Sequence, residues 1–131
     1  MIKNIEHIAI FAANPKALVD WYCEHLGFRV VTEDRGNFFF IALPNGDMIE
    51  VGKAADKDRA PATFEEAGLR HLAFTVESYD EFAERLAAAG IEFYNDSHVV
   101  PPDNRVNFFE DPEGNILQIV QRAEPIVERQ A

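Results

Sequence analysis

Four polar residues occupy matched places in the two halves of the sequence, and each can donate to a divalent metal. His7 and His71 each stand at the start of a short apolar run, 64 residues apart, and Glu50 and Gln118 fall at equivalent places, 68 residues apart. Imidazole binds Zn, Fe, Ni and Co, and carboxylate and amide oxygens add the harder ligation that suits Mn or Fe. Three or four protein ligands leave positions open for water or substrate, which is the pattern of a catalytic metal. The repeat therefore predicts a shared metal site.

Each of these residues has a purely structural interpretation when it is taken alone. A histidine that opens a buried strand usually has its hydrogen bonds satisfied in the core. Glu50, beside apolar residues, also fits a solvated sheet edge. The coincidence of two matched pairs favours a shared site, because separate structural roles would not require equivalent positions in both halves.

The first half of the chain has the pattern of a βαβββ module. Asn14 followed by Pro15 predicts the start of a helix, with an N-cap residue and a proline at the first helical position. Gly27 predicts the end of that helix, because glycine readily takes the left-handed conformation found there. Short apolar runs separated by turn residues predict strands within residues 5–11, 28–33, 37–43 and 47–51.

The second half repeats this order of elements. Ser78 and Glu81 form a capping box at the start of a second helix, which Gly90 ends. Strands are predicted within residues 69–76, 91–94, 104–110 and 115–120, with a longer loop at residues 95–102. Module one therefore covers about residues 1–52 and module two about residues 67–122, with a linker at residues 53–66 and a tail at residues 123–131.

These patterns predict an α+β fold built from two tandem βαβββ modules within a single domain, residues 1–131. We expect a pseudo-twofold to relate the modules, and the helix of each module to cover one face of its sheet. The other faces then form a concave cleft for the metal. Strand alternation puts Met48 and Glu50 on one face, and Ile116 and Gln118 likewise share a face.

Composition and charge exclude several classes of partner. The net charge is −11, which repels nucleic acid and anionic lipid at long range. No apolar run approaches the length that spans a bilayer, and the N-terminus lacks the pattern of an export signal. Cys23 is the only cysteine, so no internal disulfide can form. We expect a cytoplasmic protein that binds neither nucleic acid nor membrane.

Four segments, in this order, resemble the vicinal oxygen chelate superfamily across roughly residues 4–121. This superfamily includes glyoxalase I, methylmalonyl-CoA epimerase, extradiol dioxygenases and the fosfomycin- and bleomycin-resistance proteins. The segment at residues 111–118 is similar to the family signature Asp-Pro-x-Gly-Asn-x-x-Glu. The segments are Glu6-His7-Ile8-Ala9-Ile10, Trp21-Tyr22 leading to Leu26-Gly27-Phe28, Gly68-Leu69-Arg70-His71-Leu72-Ala73-Phe74, and Asp111-Pro112-Glu113-Gly114-Asn115-Ile116-Leu117-Gln118.

The resemblance implies one divalent metal (Zn, Ni, Co, Mn or Fe) on His7, Glu50, His71 and Gln118. It also implies a homodimer, with ligands from one protomer or from two. Glyoxalase I has a glutamate as its proton-transfer base at the position of Gln118. An amide cannot take that role, so Glu50 becomes the candidate catalytic base. His7, Glu50 and His71 also form a two-histidine, one-carboxylate set of the kind that binds Fe(II).

Three functions follow from this resemblance. The leading one is a metal-dependent lyase or isomerase resembling glyoxalase I, which acts on a small oxygenated substrate chelated to the metal. The alternatives are an Fe(II) dioxygenase of the ring-cleaving type and a non-catalytic small-molecule-binding protein like the bleomycin-resistance members. For substrate contacts we predict Arg105 and Asn107, which share a strand face and suit an anionic substrate, and Phe40 as a pocket wall.

Overall fold

The computed structural model describes residues 1–55, 60–95, 98–100 and 103–129, with only the backbone at residues 98–100. Parts of the predicted linker (56–59), of the predicted loop (96–97 and 101–102) and of the tail (130–131) lie outside the described residues. The chain divides into two compact units, Met1–Pro61 and Ala62–Ala131. Neither of the two described helices is long and apolar enough to cross a membrane.

The first unit is a four-stranded mixed sheet with one helix, in the predicted βαβββ order. Its strands lie in the order β1-β4-β3-β2. Strand β1 runs parallel to β4, and the two other pairs are antiparallel. The elements are β1 (His7–Ala12), α1 (Pro15–Leu26), β2 (Arg29–Asp34), β3 (Phe38–Ala42) and β4 (Met48–Lys53).

Helix α1 begins and ends where the sequence predicts. The side chain of Asn14 accepts a hydrogen bond from the backbone N–H of Ala17 at 3.2 Å, and Pro15 is the first helical residue. Gly27 has a φ of 79° and its N–H donates to the carbonyl of Tyr22, so the left-handed stop is confirmed.

One face of the first sheet packs against α1 and forms the core of this unit. Alternate residues of β3 and β4 point to this face, and all of them are apolar except Lys53 at the end of β4. The most buried side chains are Leu18, Val19 and Tyr22 from α1, with Phe39, Ile41, Ile49 and Val51 from the strands.

The second unit has the same order of elements and the same sheet topology. Its strands lie in the order β5-β8-β7-β6, again with the first and last strands of the unit parallel. Ser78 caps α2 by accepting from the N–H of Glu81 at 3.2 Å, as predicted. The elements are β5 (Leu72–Thr75), α2 (Tyr79–Ala88), β6 (His98–Val100), β7 (Asn104–Glu110) and β8 (Ile116–Gln121). The α+β class and the two tandem βαβββ modules are confirmed.

The strand predicted at residues 91–94 is wrong. Strand β6, which lies inside the predicted loop, takes the outer place beside β7 instead. The N–H of Ile91 donates to the carbonyl of Leu86 and so closes the end of α2. Phe93 stacks on Tyr79, with ring centroids 5.9 Å apart. Ile91 and Phe93 contact α2, and this contact explains the apolar content that suggested a strand.

The segment that resembles the family signature folds as a tight turn before β8. Asp111 is 4% exposed, and its carboxylate accepts from the N–H groups of Glu113 and Asn115 at 2.9 and 3.0 Å. Gly114 has a φ of 84°, which favours glycine at that place. The turn sets where β8 begins, and therefore which face of the sheet Gln118 occupies.

Candidate metal centre

In the first unit, His7 and Glu50 lie on the face of the sheet that α1 does not cover, called here the helix-free face. Strands β1 and β4 pair so that His7 is opposite Met48 and Ala9 is opposite Glu50. Directly paired residues point to the same face of a sheet, and alternate residues share a face. The intervening Ile49 is buried on the α1 side. The strand alternation predicted from the sequence is therefore confirmed for this half of the site.

The imidazole of His7 is held between two carboxylates and an aromatic ring. Its Nε2 atom is 3.5 Å from Oε2 of Glu50, and its Nδ1 atom is 3.0 Å from Oε1 of Glu6. The ring of Phe40 meets the imidazole edge-on, with centroids 5.3 Å apart. The side chains of His7 and Glu50 are 33% and 22% exposed, so both are half-buried and still reachable from solvent.

In the second unit, His71 and Gln118 have corresponding surroundings. His71 immediately precedes β5, and Gln118 on β8 is paired with Ala73 on one side and Phe108 on the other. The ring of Phe108 meets His71 edge-on, with centroids 5.2 Å apart. His71, Phe108 and Gln118 thus share the face of this sheet that α2 does not cover, the helix-free face of the second unit.

Sequence reasoning missed Phe108, although the repeat contained the signal that finds it. Phe40 and Phe108 are 68 residues apart, which is the offset between Glu50 and Gln118. Each ring is paired across the strands with one of those two residues and packs edge-on against the histidine of its own unit. The predicted wall residue Phe40 therefore has a partner of the same kind in the second unit.

The four predicted ligands fall two in each unit. Among the residues that the structure describes, no group of three or more His, Cys, Asp or Glu side chains stands ready to hold a metal. In the first unit, the distance between the donor atoms of His7 and Glu50 suits two ligands of one metal ion. Two ligands at about 2.0–2.2 Å from one tetrahedral ion lie roughly 3.3–3.6 Å apart, and His7 Nε2 and Glu50 Oε2 are 3.5 Å apart.

Comparison with known proteins decides the family. Residues 4–119 match the Glyoxalase/Bleomycin resistance protein/Dioxygenase superfamily. The chain belongs to this superfamily. We refer to it as the glyoxalase superfamily.

The uncharacterized protein YwkD from Bacillus subtilis (strain 168) is 33% identical over 127 residues, which are 93% of this chain and 99% of that protein. A glyoxalase family protein from Enterococcus faecalis has a crystal structure that superposes with a TM-score of 0.76 at 32% identity, over 90% of this chain and 97% of that one. Biphenyl-2,3-diol 1,2-dioxygenase 2 from Rhodococcus globerulus is 26% identical over 121 residues, which are 86% of this chain and 60% of the dioxygenase.

In the second unit, aromatic side chains lie next to the candidate ligands His71 and Gln118. We call these side chains the aromatic wall. Phe64 packs edge-on against Phe108 and against Tyr94, with centroids 5.0 and 5.2 Å apart. Arg70 holds the segment that carries Phe64, because its guanidinium donates to the carbonyl oxygens of Thr63 at 2.9 Å and Gly68 at 3.4 Å. Sequence reasoning assigned Phe64 and Arg70 no part in the site.

Tyr94 is not a candidate base in this wall. Burial, and after it the hydrogen bond with Glu110, raises the pKa of Tyr94 to about 12. The phenol is therefore protonated near neutral pH and contributes an apolar ring with a polar tip.

The prediction that Arg105 and Asn107 contact the substrate is not supported by their positions. The two residues share a face as predicted, but α2 covers that face. Asn107 is fully buried and donates to the hydroxyl of Tyr79 at 2.9 Å and to the carbonyl of Asn95 at 2.8 Å. Arg105 donates to Asp80 at 2.6 Å and lies 4.2 Å above the ring of Tyr79. For Asn107 the prediction is wrong, because a fully buried amide cannot meet a ligand from solvent.

Replacing Asn107 by alanine tests this structural role. We expect the free energy of unfolding to fall by about 2–4 kcal/mol, because the buried hydroxyl of Tyr79 and the carbonyl of Asn95 each lose a partner. Denaturant unfolding measures the change. The control variant Arg105→Gln removes a partly exposed ion pair and should lose less. A stable Asn107→Ala protein that has lost only ligand binding would restore the original prediction.

Proposed function

We propose that this protein is a metal-dependent lyase or isomerase that acts on a small oxygenated substrate chelated to one divalent metal. The observation that carries the proposal is the His7–Glu50 pair on the helix-free face, with donor atoms at a separation that suits one metal ion. Support comes from the matched pair of the second unit, His71 and Gln118, and from membership of the glyoxalase superfamily. The four residues would hold Zn, Ni, Co, Mn or Fe.

The ligand set determines the charge of the site. Neutral imidazoles and the amide of Gln118 add no charge, so Glu50 is the only anion in the set. A bound divalent ion would supply a Lewis acid that polarises the oxygen of the substrate. One carboxylate leaves a net positive charge with such an ion, which favours a substrate oxygen that becomes anionic during the reaction.

Glu50 is the base in this proposal. Removal of a proton from the substrate carbon beside the oxygen requires a group that accepts a proton near neutral pH, and a carboxylate does this whereas an amide does not. Phe40 and Phe108 flank Glu50 and Gln118 on the adjacent strands. Each ring presents an apolar surface beside the polar residue of its own unit, which suits the carbon part of a substrate.

Metal analysis of the purified protein tests the binding site. We expect one divalent ion for each chain, and an affinity lowered by about 100-fold or more in either His7→Ala or His71→Ala, since even losing a hydrogen-bond partner of a ligand costs about 10–100-fold. His25→Ala is the matched control, because His25 lies on α1 beside Trp21. An unchanged affinity in the His71 variant would remove the second unit from the site.

Turnover of the Glu50→Gln variant tests the base. At saturating metal we expect kcat to fall by a factor of about 10²–10⁴, because the amide keeps an oxygen for the metal but cannot take a proton. The reciprocal variant Gln118→Glu should retain the metal and gain some glyoxalase activity. Normal turnover by Glu50→Gln would place the base outside the ligand set.

A dioxygenase is the second candidate, and one observation favours it. His7, Glu50 and His71 supply two imidazoles and one carboxylate, a set that suits Fe(II), and the matched Rhodococcus globerulus protein is a dioxygenase. Stoichiometric iron and oxygen consumption with biphenyl-2,3-diol would select this function. Zn, Ni, Co or Mn would select the lyase or isomerase, and absence of any metal would select a small-molecule-binding protein.

We also propose a homodimer. The strands of the first unit leave several large apolar side chains exposed on this chain, among them Phe11 at 50% and Phe38 at 40%. A partner protomer would bury such surface, and a stable interface requires more than about 1,200 Å² in total. Light scattering at micromolar concentration should give twice the chain mass of 14.8 kDa. A monomer under those conditions would contradict the dimer.

A further inference from the structure

The residue before His7 contacts the side of the imidazole that faces away from Glu50. Oε1 of Glu6 is 3.0 Å from Nδ1 of His7, whereas Oε2 of Glu50 is 3.5 Å from Nε2. The first distance is that of a good hydrogen bond and the second is at the limit. Both partners are carboxylates, which only accept.

A neutral imidazole carries one proton, so it can donate to only one of these two carboxylates. The shorter distance favours the tautomer in which Nδ1–H donates to Glu6. The lone pair of Nε2 then faces the Glu50 oxygen, and two acceptors stand 3.5 Å apart with no proton between them. A cation on that side relieves the repulsion, so the hydrogen bond with Glu6 and a cation beside Glu50 support each other.

Two other histidines, His71 and His25, differ from His7 in this respect. His71 is preceded by Arg70, whose guanidinium donates to the carbonyl oxygens of Thr63 and Gly68. His25 has an adjacent glutamate, Glu24, but the closest atoms are 3.8 Å apart, beyond hydrogen-bond distance. The two glutamates are otherwise alike, with side chains 72% and 75% exposed.

We propose that Glu6 is a positioning residue, which holds His7 in the tautomer with Nδ1 protonated and so directs the lone pair of Nε2 toward Glu50. The consequence for metal binding rests on the proposed function above, whereas the tautomer is a property of the metal-free protein. A carboxylate that accepts from the second nitrogen of a ligating histidine also fixes the ring orientation and raises its basicity as a ligand.

Nitrogen NMR of the imidazoles in the metal-free protein tests the first step. At about pH 8.5, where imidazoles are neutral, His7 should have its proton on Nδ1 in the wild type and in Glu6→Gln, whose amide oxygen still accepts. In Glu6→Ala it should shift toward the Nε2–H form, which an unconstrained imidazole prefers. A wild-type His7 with its proton on Nε2 would overturn the proposal.

Competition titration with Zn²⁺ tests the second step. We expect Glu6→Ala to weaken binding by about 10–100-fold and Glu6→Gln to recover most of that loss. Glu24→Ala is the matched control, because it removes one exposed carboxylate beside a histidine in the same unit, and it should leave the affinity unchanged. Equal affinities in the wild type and Glu6→Ala would overturn the role of Glu6 alone. A wild type that binds no Zn²⁺, Ni²⁺, Co²⁺, Mn²⁺ or Fe²⁺ would overturn the proposed function, while the NMR result would still decide the tautomer.

Discussion

The parallel pairing of the first and last strands in each unit determines which side chains meet on the helix-free faces. In the first unit this pairing sets Ala9 opposite Glu50, and in the second it sets Ala73 opposite Gln118. Each alanine leaves space beside the longer polar side chain, and the antiparallel neighbour on the other side supplies a phenylalanine. A shift of the register by one residue would turn these side chains to the other face.

The two faces of each sheet have different compositions because they have different partners. The face toward α1 carries Phe39, Ile41, Ile49 and Val51, all at most 3% exposed, and its burial provides the main favourable free energy of folding. The helix-free face carries aromatic rings together with an imidazole and a carboxylate, and the imidazole and the carboxylate are costly to bury without partners. Strand alternation thus lets one strand, β4, stabilise the core and present Glu50 at the same time.

The sequence predicted most of the fold because its signals are local. Asn14, Gly27 and Ser78 act at the helix ends through hydrogen bonds with residues a few positions away, and the structure confirms each of them. The outer strand of the second unit was missed because its place depends on what residues 91–94 pack against. Ile91 closes the end of α2, and a periodicity argument does not detect such tertiary contacts.

The alternation of side chains along each strand predicted part of the site. It correctly grouped Met48 with Glu50 and Arg105 with Asn107, yet it does not say which group the helix covers. The hydrogen bond from Asn107 to Tyr79 on α2 supplies that information for β7. A fuller use of the repeat would have identified Phe108, since it stands at the same offset from Phe40 as Gln118 does from Glu50.

X-ray absorption spectroscopy of the Co(II)-loaded protein tests the central claim, that His7 and Glu50 hold a divalent metal on the helix-free face of the first unit. The account predicts imidazole nitrogen and oxygen ligands in the coordination shell, with no sulfur, and the loss of one imidazole after His7 is changed to alanine. A shell without imidazole, or one that is unchanged in the His7→Ala variant, would contradict it.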